Sequence, residues 1–408
     1  MVGGGPAGAT ASLLMARKGV DVTLFDKANF PRDKACGDVV GPRAVRILSE
    51  IGIGLPEERW PVGEMLLSRG SVGMVLPSHG GVGFDGFGYS IKRQVLDHHL
   101  LRCSLGEGTK LVTGRVTSAR SSSGGAEVTC EGERFSFDIL VGADGANSLT
   151  ARMAGLVDEN EVEMGFALRR YLDAFVEIPR IDLLAPGSVS GLAGYGWIFP
   201  NGGGVNAGVG VAVGQERSRA RGLREHLERY LAGFSDPVFS GGSEFEAGGW
   251  LKMGMLGTVP ARGRILLAGD AAGLVNPFQG EGIAAAIESG RMAAEAVAVA
   301  GTQAAVAYRR RLYQEFLPFQ SAGHLALRTA RRRPGLAGAA MGGLLLLGRR
   351  RPAVAAGWGL FWNDLTNQAG PAPGAAVAGS LARAGALASR VDQPARRYRA
   401  AGWMEQQL

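Results

Sequence analysis

The residues with the clearest chemical potential form a glycine-rich segment at the start of the chain. Gly3, Gly5 and Gly8 fit the pattern G-x-G-x-x-G and lead into a helical pattern over residues 9–18. The first amides of a helix are unpaired, and the helix dipole favours an anion at that end. The segment therefore predicts a turn that holds the pyrophosphate of a dinucleotide.

An acidic residue follows at the spacing that such a turn requires. Gly19 ends the helical pattern, residues 20–25 have the character of a buried strand, and Asp26 comes 18 residues after Gly8. A carboxylate at this place receives the ribose hydroxyls of an adenosine. Only two residues precede Gly3, so the strand that should enter the turn is almost absent, and we expect the natural start to lie upstream.

A second turn follows a short apolar strand at residues 137–141. Asp144 and Gly145 make a tight Asp-Gly turn there. Such a turn can bring the backbone close to a pyrophosphate and offers a carboxylate to polar groups. An ordinary hairpin turn would have the same sequence, so this segment alone leaves both interpretations open.

A third turn follows a buried strand at residues 265–268. Gly269 and Asp270 begin it, and a long helical pattern covers residues 283–300. Asp270 can accept a hydrogen bond from a ribityl hydroxyl, while the helix start directs its positive end towards the edge of a flavin ring. Together with the first turn, this segment indicates a bound flavin.

The elements that must position these turns imply two lobes. A chain of 408 residues fits two domains with a site between them. Its 46% hydrophobic and 20% charged residues are typical of a globular protein, and its 65 glycines predict many close backbone approaches. We expect an α/β fold (α+β overall): a Rossmann-type FAD-binding domain, an antiparallel-sheet substrate domain and a helical carboxy-terminal region.

Glycine-punctuated, strand-like runs interrupt the nucleotide-binding segments and predict a discontinuous layout. Gly370, Pro371, Pro373 and Gly374 predict a break before a last helix. We assign residues 1–52, 90–160 and 251–300 to the FAD-binding domain, residues 53–89 and 161–250 to the substrate-binding sheet, and residues 301–408 to the helical region.

Cysteine usage and targeting signals favour the reducing cytoplasm. Cys36, Cys103 and Cys130 lie in no CxxC or Cys/His spacing, which argues against a disulfide framework and against a metal site. No signal-peptide pattern precedes the first motif, and no stretch reaches the roughly 18 apolar residues that span a bilayer. We therefore expect a cytoplasmic protein.

The net charge of +7 is concentrated late in the chain, in the arginine triplets at residues 331–333 and 349–351. No nucleic-acid motif lies near them, so we expect no nucleic-acid partner. The apolar segment between them, residues 335–348, is too short to span a bilayer. It either lies in an anionic membrane interface, at the inner face of the membrane, or is a buried carboxy-terminal helix. The oligomeric state stays open.

Separated blocks of sequence carry a family resemblance. The three turns, in this order, resemble the para-hydroxybenzoate hydroxylase-like superfamily of flavoproteins. Further blocks resemble its geranylgeranyl reductase branch, and within it the actinobacterial reductases of the menaquinone side chain. The matches cover residues 1 to about 300, and the further blocks are residues 30–38, 195–200, 205–210 and 276–282.

The resemblance implies noncovalent FAD and assigns its contacts position by position. Asp26 departs from the commoner glutamate, so its reach to the ribose is shorter. No second G-x-G-x-x-G is present, which leaves the electron donor open among NAD(P)H, a reduced protein and a deazaflavin. The implied FAD-binding residues are Gly3, Gly5, Pro6, Ala7, Gly8, Asp26, Lys27, Lys34, Ala35, Cys36, Arg93, Asp144, Gly145, Gly269, Asp270, Gly280, Gly282 and Ile283.

Cys36 is the candidate catalytic residue. It lies in a loop with Pro31, Gly37 and Pro42, and the resemblance places this cysteine beside the flavin, where it positions the substrate or supplies a proton. A thiol can act as an acid only if its pKa suits the working pH. The alternative is a small apolar lining residue. Cys103 and Cys130 fall in a helix and a strand and are interpreted as core.

Three alternating aromatic residues, Tyr195, Trp197 and Phe199, lie on one face of a predicted strand. They would form either the wall of a substrate channel or a surface packed against a neighbouring sheet. The resemblance favours the channel.

These observations predict an FAD-dependent reductase of carbon-carbon double bonds in an isoprenoid or polyprenyl-quinone chain, acting on an apolar small molecule. Such a reaction needs a hydride, a proton and a long apolar pocket that excludes water. A monooxygenase or other tailoring flavoenzyme of specialised metabolism would share the FAD site and is the main alternative. A flavin-bound protein without redox turnover is a third.

Overall fold

The computed structural model describes residues 1–76, 88–122, 124–184, 193–234, 245–277 and 279–350. Its helices are α1 (Pro6–Arg17), α2 (Pro42–Glu50), α3 (Arg93–Gly106), α4 (Leu149–Met153), α5 (Leu223–Ala232), α6 (Ile283–Ala300), α7 (Ala304–Arg332) and α8 (Pro334–Arg350). The predicted break around Pro371 and Pro373 lies outside the described residues.

The strands vary from two to ten residues. In chain order they are β1 (Thr23–Asp26), β2 (Val39–Val40), β3 (Trp60–Pro61), β4 (Met65–Arg69), β5 (Val72–Leu76), β6 (Tyr89–Ser90), β7 (Lys110–Thr113), β8 (Val116–Ser122), β9 (Gly125–Cys130), β10 (Glu133–Phe137), β11 (Leu140–Gly142), β12 (Glu163–Leu172), β13 (Arg180–Leu183), β14 (Gly194–Pro200), β15 (Val205–Gly214), β16 (Phe245–Met253), β17 (Ala261–Arg262) and β18 (Ile265–Leu267).

A small parallel sheet organises the nucleotide-binding part. β1 pairs in parallel with β7, and β11 pairs in parallel with β18. Val2 forms parallel bridges to Phe25 of β1 and to Gly142 of β11, so it joins the two strand pairs. The turns that follow β11 and β18 and the turn that follows Val2 therefore emerge at one edge of this sheet.

The helices of this part follow the sequence signals closely. α1 begins after Gly5 with Pro6 in its first turn, and Gly19, at a φ of +77°, follows its end. α1 packs against α3 and α6, which together bury an apolar core rich in alanine, leucine and isoleucine. One predicted strand at residues 137–141 is instead divided between β10 and β11, because β10 pairs with β9 in a separate hairpin sheet.

A seven-stranded sheet forms the other lobe, in the order β16-β12-β15-β14-β13-β4-β5. We expected it to be antiparallel throughout, but β13 and β4 pair in parallel. Parallel neighbours need a long crossover. Between β5 and β12 the chain passes through the nucleotide-binding part before it returns to the sheet, and this long segment forms the crossover.

The last two described helices pack on different sheets. The Tyr308 hydroxyl of α7 donates a 2.7 Å hydrogen bond to the carbonyl of Leu267 and ties α7 to β18. α8 packs on β5, where Leu345 is fully buried. None of the helices in the described ranges is long and apolar enough to cross a membrane. The predicted α/β fold class, with its Rossmann-type domain, is confirmed.

Candidate active site

A single cavity of about 1110 Å³ brings the predicted site residues together. The turns of the parallel sheet line one part of it, and the Cys36 loop, which contacts β14, lines it together with β4, β13, α7 and α8. Every residue that the sequence singled out as cofactor-binding, catalytic or substrate-contacting lines it, apart from Gly8. The lobes therefore share one internal space.

The first turn is shaped by glycines that admit no side chain. Gly3 has a φ of +98°, and a Cβ there would lie 2.4 Å from the carbonyl oxygen of Ala143. At Gly8 a Cβ would lie 1.8 Å from the carbonyl oxygen of Gly3. Gly8 thus lets α1 pack directly on the turn, which explains why it does not itself face the cavity.

Asp26 is fixed by its own chain. One carboxylate oxygen accepts a 2.6 Å hydrogen bond from the amide of Gly4, and the other accepts a 2.8 Å hydrogen bond from the amide of Ala28. Each oxygen keeps a further lone pair, so the carboxylate can still receive a ribose hydroxyl. The carboxylate also holds the glycine turn against the end of β1.

Asp144 has a local role that the sequence did not reveal. Its carboxylate accepts hydrogen bonds from the Ser148 hydroxyl at 2.5 Å and from the Thr150 amide at 2.9 Å. The Ser148 hydroxyl in turn accepts from the amide of Ala151, so Asp144 stabilises the start of α4. The turn is therefore rigid, and it still lines the cavity.

Asp270 faces a cation across the cavity. The ammonium of Lys34 lies 3.2 Å from its carboxylate. Lys34 belongs to the Cys36 loop, so this ion pair joins two of the predicted cofactor-binding segments. Beside it, Gly282 precedes α6, whose positive end lies at this part of the cavity. The amide of Ala284 in its first turn donates a 2.6 Å hydrogen bond to the Glu281 carboxylate.

Arg93, at the start of α3, is held in a buried cluster of charges. Its guanidinium makes a two-pronged contact with Asp97, at 2.8 and 2.7 Å, and Arg32 contacts the same carboxylate at 2.9 Å. Burial alone would lower the pKa of Arg93, but the Asp97 carboxylate raises it above its ordinary value. Arg93 is thus a fixed cation beside the thiol.

Cys36 is half-buried and packs on the aromatic strand β14 through its neighbour Gly37. A Cβ at Gly37 would lie 3.1 Å from the Phe199 ring, so a larger residue there would require the ring or the loop to shift by a few tenths of an ångström. Burial raises the pKa of the Cys36 thiol; Arg93 opposes this effect, and the charge of Asp38 adds to it. The thiol is therefore protonated near neutral pH.

The aromatic residues of β14 have two roles. Tyr195, Trp197 and Phe199 all line the cavity on one face of the sheet. Tyr195 also donates a hydrogen bond to the carbonyl of Gln279, and a Cβ at Gly280 would lie 2.6 Å from its hydroxyl. The strand thus supports the loop before α6 as well as forming a wall.

The arrangement fits FAD. Glycine turns leave room for a pyrophosphate, the uncapped start of α1 offers free amides, and Asp26, Lys34 and Asp270 provide polar partners in the cavity lining. A sequence model of the FAD binding domain matches residues 1–58.

Known proteins with similar sequences cover most of the chain. Digeranylgeranylglycerophospholipid reductase 1 of Methanopyrus kandleri is 31% identical over 306 residues, or 72% of this chain and 78% of that protein. Menaquinone reductase of Mycobacterium tuberculosis is 35% identical over 311 residues, which cover 72% of this chain and 75% of that protein. The chain belongs to the geranylgeranyl reductase family. It is an FAD-dependent oxidoreductase, as predicted.

Solved structures share the fold of this geranylgeranyl reductase family member. A geranylgeranyl bacteriochlorophyll reductase-like protein of Thermoplasma acidophilum superposes with a TM-score of 0.72 at 22% identity, covering 89% of this chain and 95% of that one. The flavin-dependent halogenase CmlS gives a TM-score of 0.60 at 21% identity, covering 80% and 64%. These likenesses show the architecture alone.

Sequence reasoning missed some functional candidates of this reductase. Lys252 is only 2% exposed, and burial lowers its pKa to about 8, although the nearby carboxylates of Asp144 and Asp270 oppose this effect. Asp38, Tyr171 and Asn206 form a buried polar cluster behind Cys36. Asp38 and Asn206 lie within the sequence blocks that carry the family resemblance, and this position could have identified them as candidates. No feature of the sequence pointed to Lys252 or Tyr171.

Proposed function

We propose that this reductase saturates carbon-carbon double bonds in an isoprenoid or polyprenyl-quinone chain. The observation that carries the proposal is the continuity of the cavity. Beyond the flavin-binding turns it is lined by apolar side chains from the sheet and the last helices, including Met65, Ile181, Leu183, Leu327 and Met341. The similarity to a menaquinone reductase and to geranylgeranyl reductases supports the same substrate class.

The residues of the turns would hold the cofactor. Gly3, Gly5 and the first amides of α1 would surround the pyrophosphate, and Asp26 and Asp270 would accept hydrogen bonds from hydroxyls. When bound and reduced, FAD supplies a hydride. The protein's remaining tasks are to orient the alkene, exclude water and provide a proton.

Cys36 would provide that proton. Its raised pKa keeps the thiol protonated at neutral pH, so an S–H bond is available to donate to the alkene carbon. The Arg93 guanidinium beside it would stabilise the thiolate left behind, which is then reprotonated from solvent. The apolar walls formed by β14 and the last helices would exclude water during the transfer.

The test is anaerobic turnover. The purified flavoprotein is reduced with dithionite and mixed with menaquinone or a geranylgeranyl substrate, and flavin reoxidation is followed together with product mass. Reoxidation with a gain of about two mass units, one hydride and one proton, is expected, and with menaquinone this gain should persist after the ring is reoxidised to the quinone. Reoxidation only after oxygen is admitted, with a product that has gained an oxygen atom, would instead identify a monooxygenase. Parallel reductions with NADPH and a deazaflavin identify the donor.

We also propose that α8 rests on an anionic membrane surface. Leu336, Leu344, Leu346 and Leu347 are between 40% and 58% exposed, and arginines lie at both ends of the helix. Apolar side chains flanked by cations are typical of helices that lie in a membrane interface. An isoprenoid substrate could then pass from the membrane into the cavity that α8 helps to line.

Vesicle sedimentation tests this second proposal. The enzyme should bind vesicles that contain phosphatidylglycerol, and Leu346→Glu with Leu347→Glu should lower binding roughly tenfold. Val299→Glu, at an exposed apolar position of α6, is the matched control and should bind as the unsubstituted protein does. Equal binding by all three proteins would contradict the proposal.

A further inference from the structure

A buried polar cluster lies directly behind the Cys36 loop. Asp38 and Asn206 are 0% exposed, and Trp197 is 4% exposed. Tyr171 of β12 and Asn206 of β15 are paired across the sheet, and Asn206 is also paired with Phe199 of β14. The register of three strands thus brings these side chains against one loop.

Hydrogen bonds connect the cluster to the backbone that carries Cys36. One oxygen of Asp38 accepts from the Tyr171 hydroxyl at 2.7 Å and from the Asn206 amide group at 2.8 Å. The same amide group donates to the carbonyl of Cys36 at 2.7 Å. The Trp197 indole donates to the Asn206 oxygen at 3.0 Å and fixes its orientation.

Asp38 occupies a backbone conformation that costs energy. Its φ is +65°, a region that aspartate and asparagine tolerate better than most residues and that still carries strain. Its other carboxylate oxygen is buried and, among the residues that the structure describes, has no hydrogen-bond partner. Strain and an incompletely paired buried carboxylate are features that a purely structural loop has no reason to keep.

The charge of Asp38 also acts on the thiol. The charged groups around the Cys36 thiol are Arg93 from α3, together with Lys34 and Asp38 from its own loop, and the Tyr195 hydroxyl lies nearby on β14. Burial is the largest influence and raises the pKa of the thiol; Arg93, the backbone amide of Asp38 and Lys34 lower this pKa, while the Asp38 carboxylate raises it. Asp38 is itself flanked by Arg169, Arg93 and Tyr171, and burial raises its pKa to about 6.

We propose that Asp38 is the positioning residue for Cys36: its carboxylate, held by Tyr171 and Asn206, fixes the loop on the aromatic strand and holds a negative charge beside the thiol. This inference rests on the proposed function of Cys36 as the proton donor. Without the Asp38 charge, Arg93 and Lys34 would stabilise the thiolate, and less of the acid form would be available.

The direct test measures the thiol rather than turnover. The FAD-loaded enzyme is treated with iodoacetamide across a pH series, and alkylation of the Cys36 peptide is followed by mass spectrometry, which separates it from Cys103 and Cys130. Because only the thiolate reacts, the midpoint reports the protonation of Cys36. Asp38→Asn should move the midpoint to lower pH. An unmoved midpoint would overturn the proposal.

Two further variants separate the charge from the tether. Asn206→Ala and Tyr171→Phe keep the Asp38 charge and loosen the loop, so the midpoint should stay while alkylation accelerates, roughly tenfold and threefold respectively. If Asp38→Asn does not fold, Tyr171→Phe alone tests the proposal. An unchanged alkylation rate in that variant would show that the Tyr171 hydrogen bond does not hold the Cys36 loop. Asp182→Asn removes a carboxylate that accepts from Tyr230 at 2.6 Å, away from the thiol, and should change neither quantity.

The outcome is distinguishable from a failure of the proposed function. If Cys36 is the proton donor, the alkaline limb of the rate profile moves with the alkylation midpoint in Asp38→Asn. If the midpoint moves and the rate profile does not, Asp38 controls the thiol but Cys36 is not the acid. In that case the proposed role of Cys36 fails, while the coupling between Asp38 and the thiol stands.

Discussion

The two ends of the cavity are built on different principles. At the cofactor end, backbone shape dominates: Gly3 and Gly8 permit contacts that any side chain would block, and carboxylates such as Asp144 are engaged by nearby amides. At the Cys36 end, side chains that are distant in sequence, such as Asp38 and Asn206, meet across 168 residues. The first end can be recognised from short motifs, whereas the second exists only after folding.

The largest effect is expected at the backbone of the cofactor end. Gly8→Ala places a methyl group 1.8 Å from the Gly3 carbonyl, so either the turn or α1 must move. We expect a loss of about 3 kcal/mol or more in the free energy of unfolding and loss of bound flavin. Thermal unfolding and flavin absorbance measure both. Gly106→Ala, where a Cβ meets nothing within 4 Å, is the control; a stable, yellow Gly8→Ala protein would contradict the account.

A side chain at the same end should matter less for folding than for cofactor affinity. Asp270→Ala removes the partner of Lys34 and an acceptor for a flavin hydroxyl. We expect FAD to bind roughly 10- to 100-fold more weakly, as for loss of a charge-assisted hydrogen bond. Titration of the apoprotein with FAD gives the affinity. Asp21→Ala, at an exposed surface carboxylate, should bind FAD normally, and undiminished affinity in Asp270→Ala would remove this residue from the site.

At the other end, the rate should fall while the cofactor stays. Cys36→Ser replaces the thiol by a hydroxyl of much higher pKa, so turnover should drop about 100-fold with normal FAD content. Stopped-flow reoxidation of the reduced flavin by substrate measures it. Cys103→Ser, in α3 and outside the cavity lining, is the matched control. Equal rates in the two variants would leave Cys36 with a lining role only.

The smallest effect concerns a buried lysine of β16. The pKa of Lys252 is about 8 in the folded protein and 10.5 ordinarily, so the unfolded chain binds more protons between these values. Stability from this residue therefore rises with pH, by about 2 kcal/mol between roughly pH 7.5 and 9.5. Lys252→Met should lose this rise in melting temperature. Lys110→Met, at an exposed surface lysine, should keep it; identical pH profiles of the unsubstituted and Lys252→Met proteins would argue against a depressed pKa.

Family, fold class and cofactor were predictable because they depend on local patterns. The glycine spacing at residues 3–8, the acid at residue 26 and the helix from Ile283 to Ala300 are set by backbone sterics and helix-start chemistry, which act over a few residues. The parallel pairing of β13 with β4 was not predictable, because no local sequence pattern indicates which strands from distant parts of the chain become neighbours in a sheet.

The sequence by itself determined that this protein binds a dinucleotide-type cofactor and which turns approach it. Few residues other than glycine fit the backbone of these turns, because nearby atoms leave no room for a side chain. Only the tertiary structure decided which side chains stand behind Cys36, which carboxylates are already engaged, and that Lys252 is buried. These properties depend on desolvation and on contacts between residues far apart in the chain, and both arise only when the sheet and the nucleotide-binding part pack together.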